Sequence, residues 1–392
     1  MLICADCAYK SLIKFREELC GDKVEMLRTA DAYIMILADG MGSGVKANIL
    51  STLTSKILGT MFLKGATLEE CVETIIKTLP VCQIRQVAYS TFSILQVFRD
   101  GHAYLVEFDN PTCLLVRDGS PVPIPFTDRR VAGRLIHEAR FTVQTGDTYI
   151  LVSDGAIHAG VGQREMAFGW GWDRMAAYAA GRLPHCRGAA RIAHDICRKA
   201  DELYDGRPGD DTTVAVMQIT EAQIVHLMTG PPQNPADDTR IVQALMSGDA
   251  YRIICGGTSA TIASRELKRP LRPTLDFSDP EIPPVALLDG VDLVTEGVLT
   301  LNRAVTLLKR YTDSAGPDDS LYAELDKANA GSRIARVLIE HCTDLYLYVG
   351  RAVNMAHQNP DLPFDLGIRQ TLVDQLKTAV EKMGKRVTLT YF

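Results

Sequence analysis

Three short acidic turns, each joined to a β-rich apolar run, constrain this chain more than any other feature. The first lies in Tyr33–Leu50, YIMILADGMGSGVKANIL. An apolar run from Tyr33 to Ala38 ends in Asp39, and Gly40, Gly42 and Gly44 lead into a helical segment. A carboxylate at a strand end, beside glycines that admit backbone carbonyls, suits a hard divalent cation bound through oxygen. The same glycine-rich turn between strand and helix equally suits a phosphate cradle. The second, Tyr149–Gly155 (YILVSDG), repeats the design with Asp154. The third, Gly209–Val216 (GDDTTVAV), reverses it, Asp210 and Asp211 leading into the strand. An Asp before Gly is ordinarily turn chemistry. Three such turns at the ends of three strands can converge on one metal cluster.

In order and spacing, ADGMGSG, SDG and DDTT resemble the PPM family of metal-dependent protein phosphatases (protein phosphatase 2C-like), and within it the branch of stage II sporulation protein E (SpoIIE). The resemblance covers about residues 8–219. It implies an α/β (α+β) fold, a β-sandwich flanked by helices (αββα). It also implies two Mn2+ or Mg2+ ions per active site. Asp39 would bridge both, the Gly40 carbonyl would touch one, and Asp154 and Asp210 would hold the other. Asp211 falls behind these ligands or on a third metal. An early acidic residue helps hold the second ion; Asp22, in Cys20-Gly21-Asp22, is the candidate and Asp31 its rival. A plain Gly-Asp turn is the alternative for Asp22.

The activity implied is hydrolysis of phosphoserine or phosphothreonine on a regulatory protein, such as an anti-sigma-factor antagonist in a partner-switching circuit, by a water that two metals activate. No arginine near Asp22 or Asp39 stands for the phosphate-binding arginine of the eukaryotic members. His158, soon after the second turn, is a candidate general acid. The sequence holds no nucleophilic Cys or Ser motif, so no phosphoenzyme is expected. A reading of a different class keeps the same fold as a catalytically weak interaction scaffold.

At 392 residues the chain has room for two cores. The expected division is a phosphatase-like domain over 1–222, a linker over 223–236 built around Thr229-Gly-Pro-Pro-Gln-Asn-Pro235, and an α/β domain over 237–392 with a mainly parallel sheet. That last domain lies outside the resemblance. A net charge of −6 argues against nucleic acid as a partner. No apolar run approaches the ~18 residues of a membrane span, and no signal-peptide order opens the chain, so a cytoplasmic protein is expected. Ten cysteines without a dense framework read as reduced thiols, with Cys4 and Cys7 in packing roles rather than on zinc.

Periodicity predicts a helix over 46–63, with Ile49, Leu50, Leu53, Ile57 and Met61 at helical spacing, and a second over 68–79 after Thr67 as N-cap. Asp100-Gly101 and Thr145-Gly146-Asp147 read as hairpin turns. In the second domain, Gly256, Gly257, Thr258 and Ser259 separate strand Tyr251–Cys255 from a helix through Leu267. They form a candidate loop for a small anionic ligand, with Arg351 as counter-charge. A glycine-tightened turn without ligand is the plain alternative, and a homodimer is a further option. A Pro-rich loop runs to Pro284.

Overall fold

An apolar run as unbroken as Tyr33–Ala38 needs cover on both faces, and its surroundings supply it. The computed structural model describes residues 3–78, 90–131, 133–162, 166–186, 188–273, 286–313, 317–352 and 365–392. Residues 274–284 of the Pro-rich loop, and residue 79, to which the second predicted helix is expected to extend, lie outside them. The chain divides into two units, Met1–Glu221 and Ala222–Phe392.

The first unit runs β1 (Ile3–Leu12), β2 (Asp22–Arg28), β3 (Ala32–Gly40), α1 (Gly44–Leu63), α2 (Leu68–Thr78), β4 (Ser90–Phe98), β5 (His102–Phe108), β6 (Leu114–Arg117), β7 (Ser120–Val122), β8 (Thr127–Val131), β9 (Arg134–Thr142), β10 (Thr148–Val152), α3 (Asp154–Ile157), α4 (Trp172–Arg182), α5 (Ala189–Leu203) and β11 (Thr212–Glu221). Two antiparallel sheets form, β1-β11-β10-β6-β7 and β2-β3-β4-β5-β9-β8. Met35, Leu37, Leu95 and Leu105 of one sheet share a core with Tyr149, Leu151, Ala215 and Met217 of the other. The opposite face of the six-stranded sheet, with Ile34, Ile36 and Ile94, packs under α1 and α2; Ile150, Val152, Val214 and Val216 pack under α4 and α5. Strand β3 is thus buried on both sides, which is why its residues do not alternate. The architecture is αββα.

Several local expectations meet the tertiary structure here. Asp100-Gly101 does turn β4 into β5, with Gly101 at φ +95°. Thr67 and Glu70 form a reciprocal cap: the Thr67 hydroxyl accepts from the Glu70 N–H, and the Glu70 carboxylate accepts from the Thr67 N–H. The inward face of α1 differs from the expected one. Ala47, Leu50, Ser51, Thr54, Ser55, Leu58 and Gly59 are buried, whereas Ile49 and Leu53 are 52% and 46% exposed. The helix lies so close to the sheet that a Cβ at Gly59 would stand 2.9 Å from Leu27 Cδ1, so small residues win that face. Thr145-Gly146-Asp147 is a corner rather than a hairpin, because β9 and β10 belong to different sheets. Asp147, fully buried, holds that corner by accepting from the Gln144 N–H and from Arg117 Nε and Nη2.

The second unit runs β12 (Ile224–Thr229), α6 (Asp238–Met246), β13 (Tyr251–Cys255), α7 (Gly257–Leu267), β14 (Arg272–Pro273), β15 (Ala286–Leu288), β16 (Val291–Thr295), α8 (Val298–Tyr311), α9 (Asp319–Leu325), α10 (Ala330–Glu340), β17 (Asp344–Val349), α11 (Asp365–Lys382) and β18 (Arg386–Tyr391). Five parallel strands, β16-β13-β12-β17-β18, carry antiparallel β15 and β14 at one edge. Helices α6 and α7 cover one face and α8 to α11 the other. The order runs outward in both directions from β12, the doubly wound arrangement.

Residues 223–236, read from the sequence as a linker, instead begin this sheet. Strand β12 is its centre, paired to β13 and β17, with Val225, Leu227 and Met228 fully buried. The Gly-Pro-Pro tail that suggested a linker is the turn that ends this strand. Cys4 and Cys7 both sit on β1, three residues apart and therefore on opposite faces. The nine cysteines among the described residues are free.

Candidate metal centre

The acidic turns meet because four strands end together. Asp22 opens β2 and stands directly opposite Asp39 at the end of β3. Strand β10 pairs with β11, and the turns beyond them lock: the Ser153 N–H donates to the Thr213 carbonyl at 3.0 Å, and the Thr213 N–H to the Ser153 hydroxyl at 2.8 Å. Asp154 follows Ser153, and Asp210 and Asp211 precede Thr212. Two glycines make this closeness possible. A Cβ at Gly155 would lie 2.1 Å from the Asp211 carbonyl, and one at Gly40 would lie 2.1 Å from the Ala47 carbonyl. A Cβ at Gly21 would lie 2.8 Å from Asp211 Oδ2, which brings the start of β2 to the same spot.

Asp31, the rival to Asp22, precedes β3 at its other end, eight residues from Asp39 and so roughly 26 Å away along an extended strand. Strand register, which no local pattern reveals, separates the two.

The electrostatics are those of an overcrowded carboxylate cluster. Burial pushes Asp39 up to about 9, and Asp22, Asp154, Asp210 and Asp211 reinforce the effect. Asp22 is pushed up to about 7 by burial, with Asp211 and Asp154 adding and the nearby Ser153 and Thr213 hydroxyls opposing. Asp154 is raised too, by desolvation and then Asp210, against the pull of His158 and Lys14. Both oxygens of Asp22 and Oδ2 of Asp211 are buried with no hydrogen-bond partner. Buried carboxylate oxygens without partners are costly, and an oxygen-seeking cation is what relieves them.

The donor set fits such an ion: carboxylate oxygens on several strand ends, with little competing hydrogen bonding. Among the described residues, no three His, Cys, Asp or Glu side chains are grouped closely enough to hold a metal ion as they stand.

Lys14 escaped the sequence reading. Its ammonium lies 3.4 Å from Asp210 Oδ1, and its backbone N–H donates to Asp211 Oδ1 at 3.0 Å. It arrives there because Leu12, the last residue of β1, pairs with Thr212. A lone lysine after a strand carries no local signal. His158 is exposed beside Asp154, its N–H bonded to the Asp154 carbonyl at 2.9 Å. Trp170 is buried in the α4–α5 core.

In the second unit, Gly256, Gly257, Thr258 and Ser259 line a cavity with Thr229, Glu296 and Arg369. Arg351, the expected counter-charge, instead stacks over the Tyr391 ring at 3.9 Å, and Arg369 of α11 takes the place beside the cavity.

Two stacked antiparallel sheets with helices outside thus bring the acidic strand ends to one edge of the first unit. Residues 29–220 match the family described as Stage II sporulation protein E (SpoIIE); residues 221–392 lie beyond the match.

Solved structures resemble the chain at low identity. The PP2C phosphatase domain and a fragment of the regulatory domain of the cell fate determinant SpoIIE from Bacillus subtilis is 18% identical, with a TM-score of 0.47; the likeness covers 56% of this chain and 64% of that one. The RsbU and RsbW domains of a Mycobacterium tuberculosis protein are 20% identical over 62% of this chain and 69% of that one, with a TM-score of 0.49. The catalytic domain of the serine threonine protein phosphatase PstP, in complex with two manganese ions, is 17% identical over 56% of this chain and all of that one (100%), with a TM-score of 0.38. No curated protein matches the sequence. Among the described residues, no helix is long and apolar enough to cross a membrane.

Proposed function

We propose that the first unit is a metal-dependent phosphatase that removes phosphate from serine or threonine of a regulatory phosphoprotein, the partner-switching kind being the expected substrate. The observation that carries this reading is the set of buried carboxylate oxygens without partners, both of Asp22 and Oδ2 of Asp211, near Asp39 in a stretch that matches the SpoIIE family.

Asp39, Asp22, Asp154 and Asp210 would hold two Mn2+ or Mg2+ ions, with the Gly40 carbonyl beside Asp39 and with Asp211 behind or on a third ion. When bound, such ions supply an activated water near neutral pH and offset the charge of the phosphoryl oxygens. The protein's part is positional. The glycines at 40 and 155 let strand ends close on one point, and the Ser90 hydroxyl fixes the Asp39 carbonyl by donating to it at 2.8 Å. Lys14, the cation in contact with Asp210, is placed to attract and orient a phosphate where the sequence shows no arginine. His158, exposed at the same turn, is placed to protonate a leaving serine or threonine oxygen.

The test is hydrolysis of p-nitrophenyl phosphate and of a phosphoserine peptide by the full chain, after chelation and after adding Mn2+. Chelated protein should be inactive, Mn2+ should restore turnover, and Asp39→Asn should not respond. The ungrouped side chains favour a second reading, a non-catalytic scaffold. Folded wild type that binds no Mn2+ and shows no turnover would establish that reading instead.

A further inference from the structure

The second unit holds a cavity of about 710 Å3 beyond the carboxyl ends of β12, β13 and β16, where doubly wound sheets place ligands. Two helices begin at its wall. The N-cap of α7 is Gly256 and that of α8 is Gly297, and neither offers a side chain to the first-turn N–H groups. By contrast α9 and α10 are capped by Asp318 and Asn329.

The two glycine caps touch, since a Cβ on Gly297 would stand 3.6 Å from the Gly256 Cα. Two positive helix ends are therefore aimed from neighbouring points, their donors left for something else. Ser259, the third residue of α7, supplies an independent sign. It lines the cavity, is 1% exposed, and its hydroxyl has no hydrogen-bond partner. Arg369 lines the same space, its guanidinium near enough that a Cβ at Gly230 would meet Nη1 at 2.6 Å.

We propose that this cavity binds a phosphate ester of nucleotide size, its phosphate against the paired starts of α7 and α8, with the Ser259 hydroxyl and Arg369 completing the contacts. The volume is too large for a bare anion. The exposed carboxylate of Glu296 at the wall favours hydroxyl donors, such as those of a ribose, over a second negative group. A phosphate on helix ends and hydroxyls on Glu296 together describe a nucleoside phosphate.

Calorimetric titration of the full chain with ADP, in chelator and phosphate-free buffer, tests this, with pyrophosphate and inorganic phosphate as smaller probes. ADP should bind wild type and should bind Asp39→Asn equally well, which separates this site from the carboxylate cluster. Ser259→Ala and Arg369→Ala should each weaken ADP by about tenfold. Gly257→Val should abolish binding while melting as wild type does, because a Cβ there meets nothing within 4 Å. Failure of all three probes to bind, or ADP binding that none of the three cavity variants weakens, overturns the site. Binding of phosphate or pyrophosphate without ADP overturns the nucleoside part.

Discussion

The two units place their candidate sites at strand ends yet arrange opposite electrostatics there. In the first, carboxylates stand near one another, both oxygens of Asp22 and Oδ2 of Asp211 are buried without partners, and further positive charge is what they lack. In the second, glycine-capped helix ends present fixed positive dipoles around an open cavity, and negative charge is what they lack. Crowding makes the first site dependent on its ion and intolerant of added bulk. The second is built from backbone, so it persists empty at little cost to folding.

The largest effect that would test this contrast is catalytic. Asp39→Asn and Asp154→Asn should each lower Mn2+-dependent turnover by about a thousandfold or more, equivalent to about 4 kcal/mol of transition-state stabilisation. Asp211→Asn should lose less than Asp210→Asn, and equal losses in steady-state assays would show that Asp211 contacts an ion directly.

Glycine substitutions sharpen the structural half. Gly40→Ala must displace the Ala47 carbonyl, 2.1 Å from its new methyl, and should cost about 3 kcal/mol in denaturant unfolding. Gly257→Ala meets nothing within 4 Å and should stay within about 0.5 kcal/mol of wild type. Equal costs would break the comparison between crowded and open sites.

Acidity should act on the units in opposite directions. Asp22 and Asp39 have folded values raised from 3.8 to about 7 and about 9. Raised carboxylates contribute stability that is full below their unfolded value and lost as pH rises through the folded one. Chelated protein should therefore lose stability in the first unit between about pH 4 and pH 9, and Asp39→Asn should flatten that slope. Both tryptophans, Trp170 and Trp172, lie in this unit, so their fluorescence reports its melting. In the second unit, burial holds His226 below its ordinary 6.5, its Nδ1 bonded to the Leu245 carbonyl. A lowered histidine loses stability as pH falls, so this unit should weaken on the acid side, below about 6.5. A first unit that strengthens with pH in chelator would contradict the carboxylate crowding.

A local effect concerns capping. Asn329→Ala removes the side chain that accepts from the Ser332 N–H at 2.9 Å and should cost about 1 kcal/mol. Added ADP should not change that loss, since α10 carries its own cap and lies apart from the cavity residues.

Contiguous residues determined much of this protein. The apolar run into Asp39-Gly40, the Asp100-Gly101 hairpin, the Thr67–Glu70 cap and the glycine-rich start of α7 are each complete within a few positions, so backbone propensity and side-chain spacing reveal them. The acidic turns also announced the type of site they build. Tertiary structure alone decided that Asp22 rather than Asp31 faces Asp39, that Lys14 reaches a carboxylate 197 residues away, and that α1 turns its small residues inward. It likewise made Thr145-Gly146-Asp147 a corner between sheets, and β12 the centre of a sheet where a linker was expected. Each of these depends on which distant segment lies alongside, and register and close packing are set by the sum of many weak contacts that no short window of sequence contains.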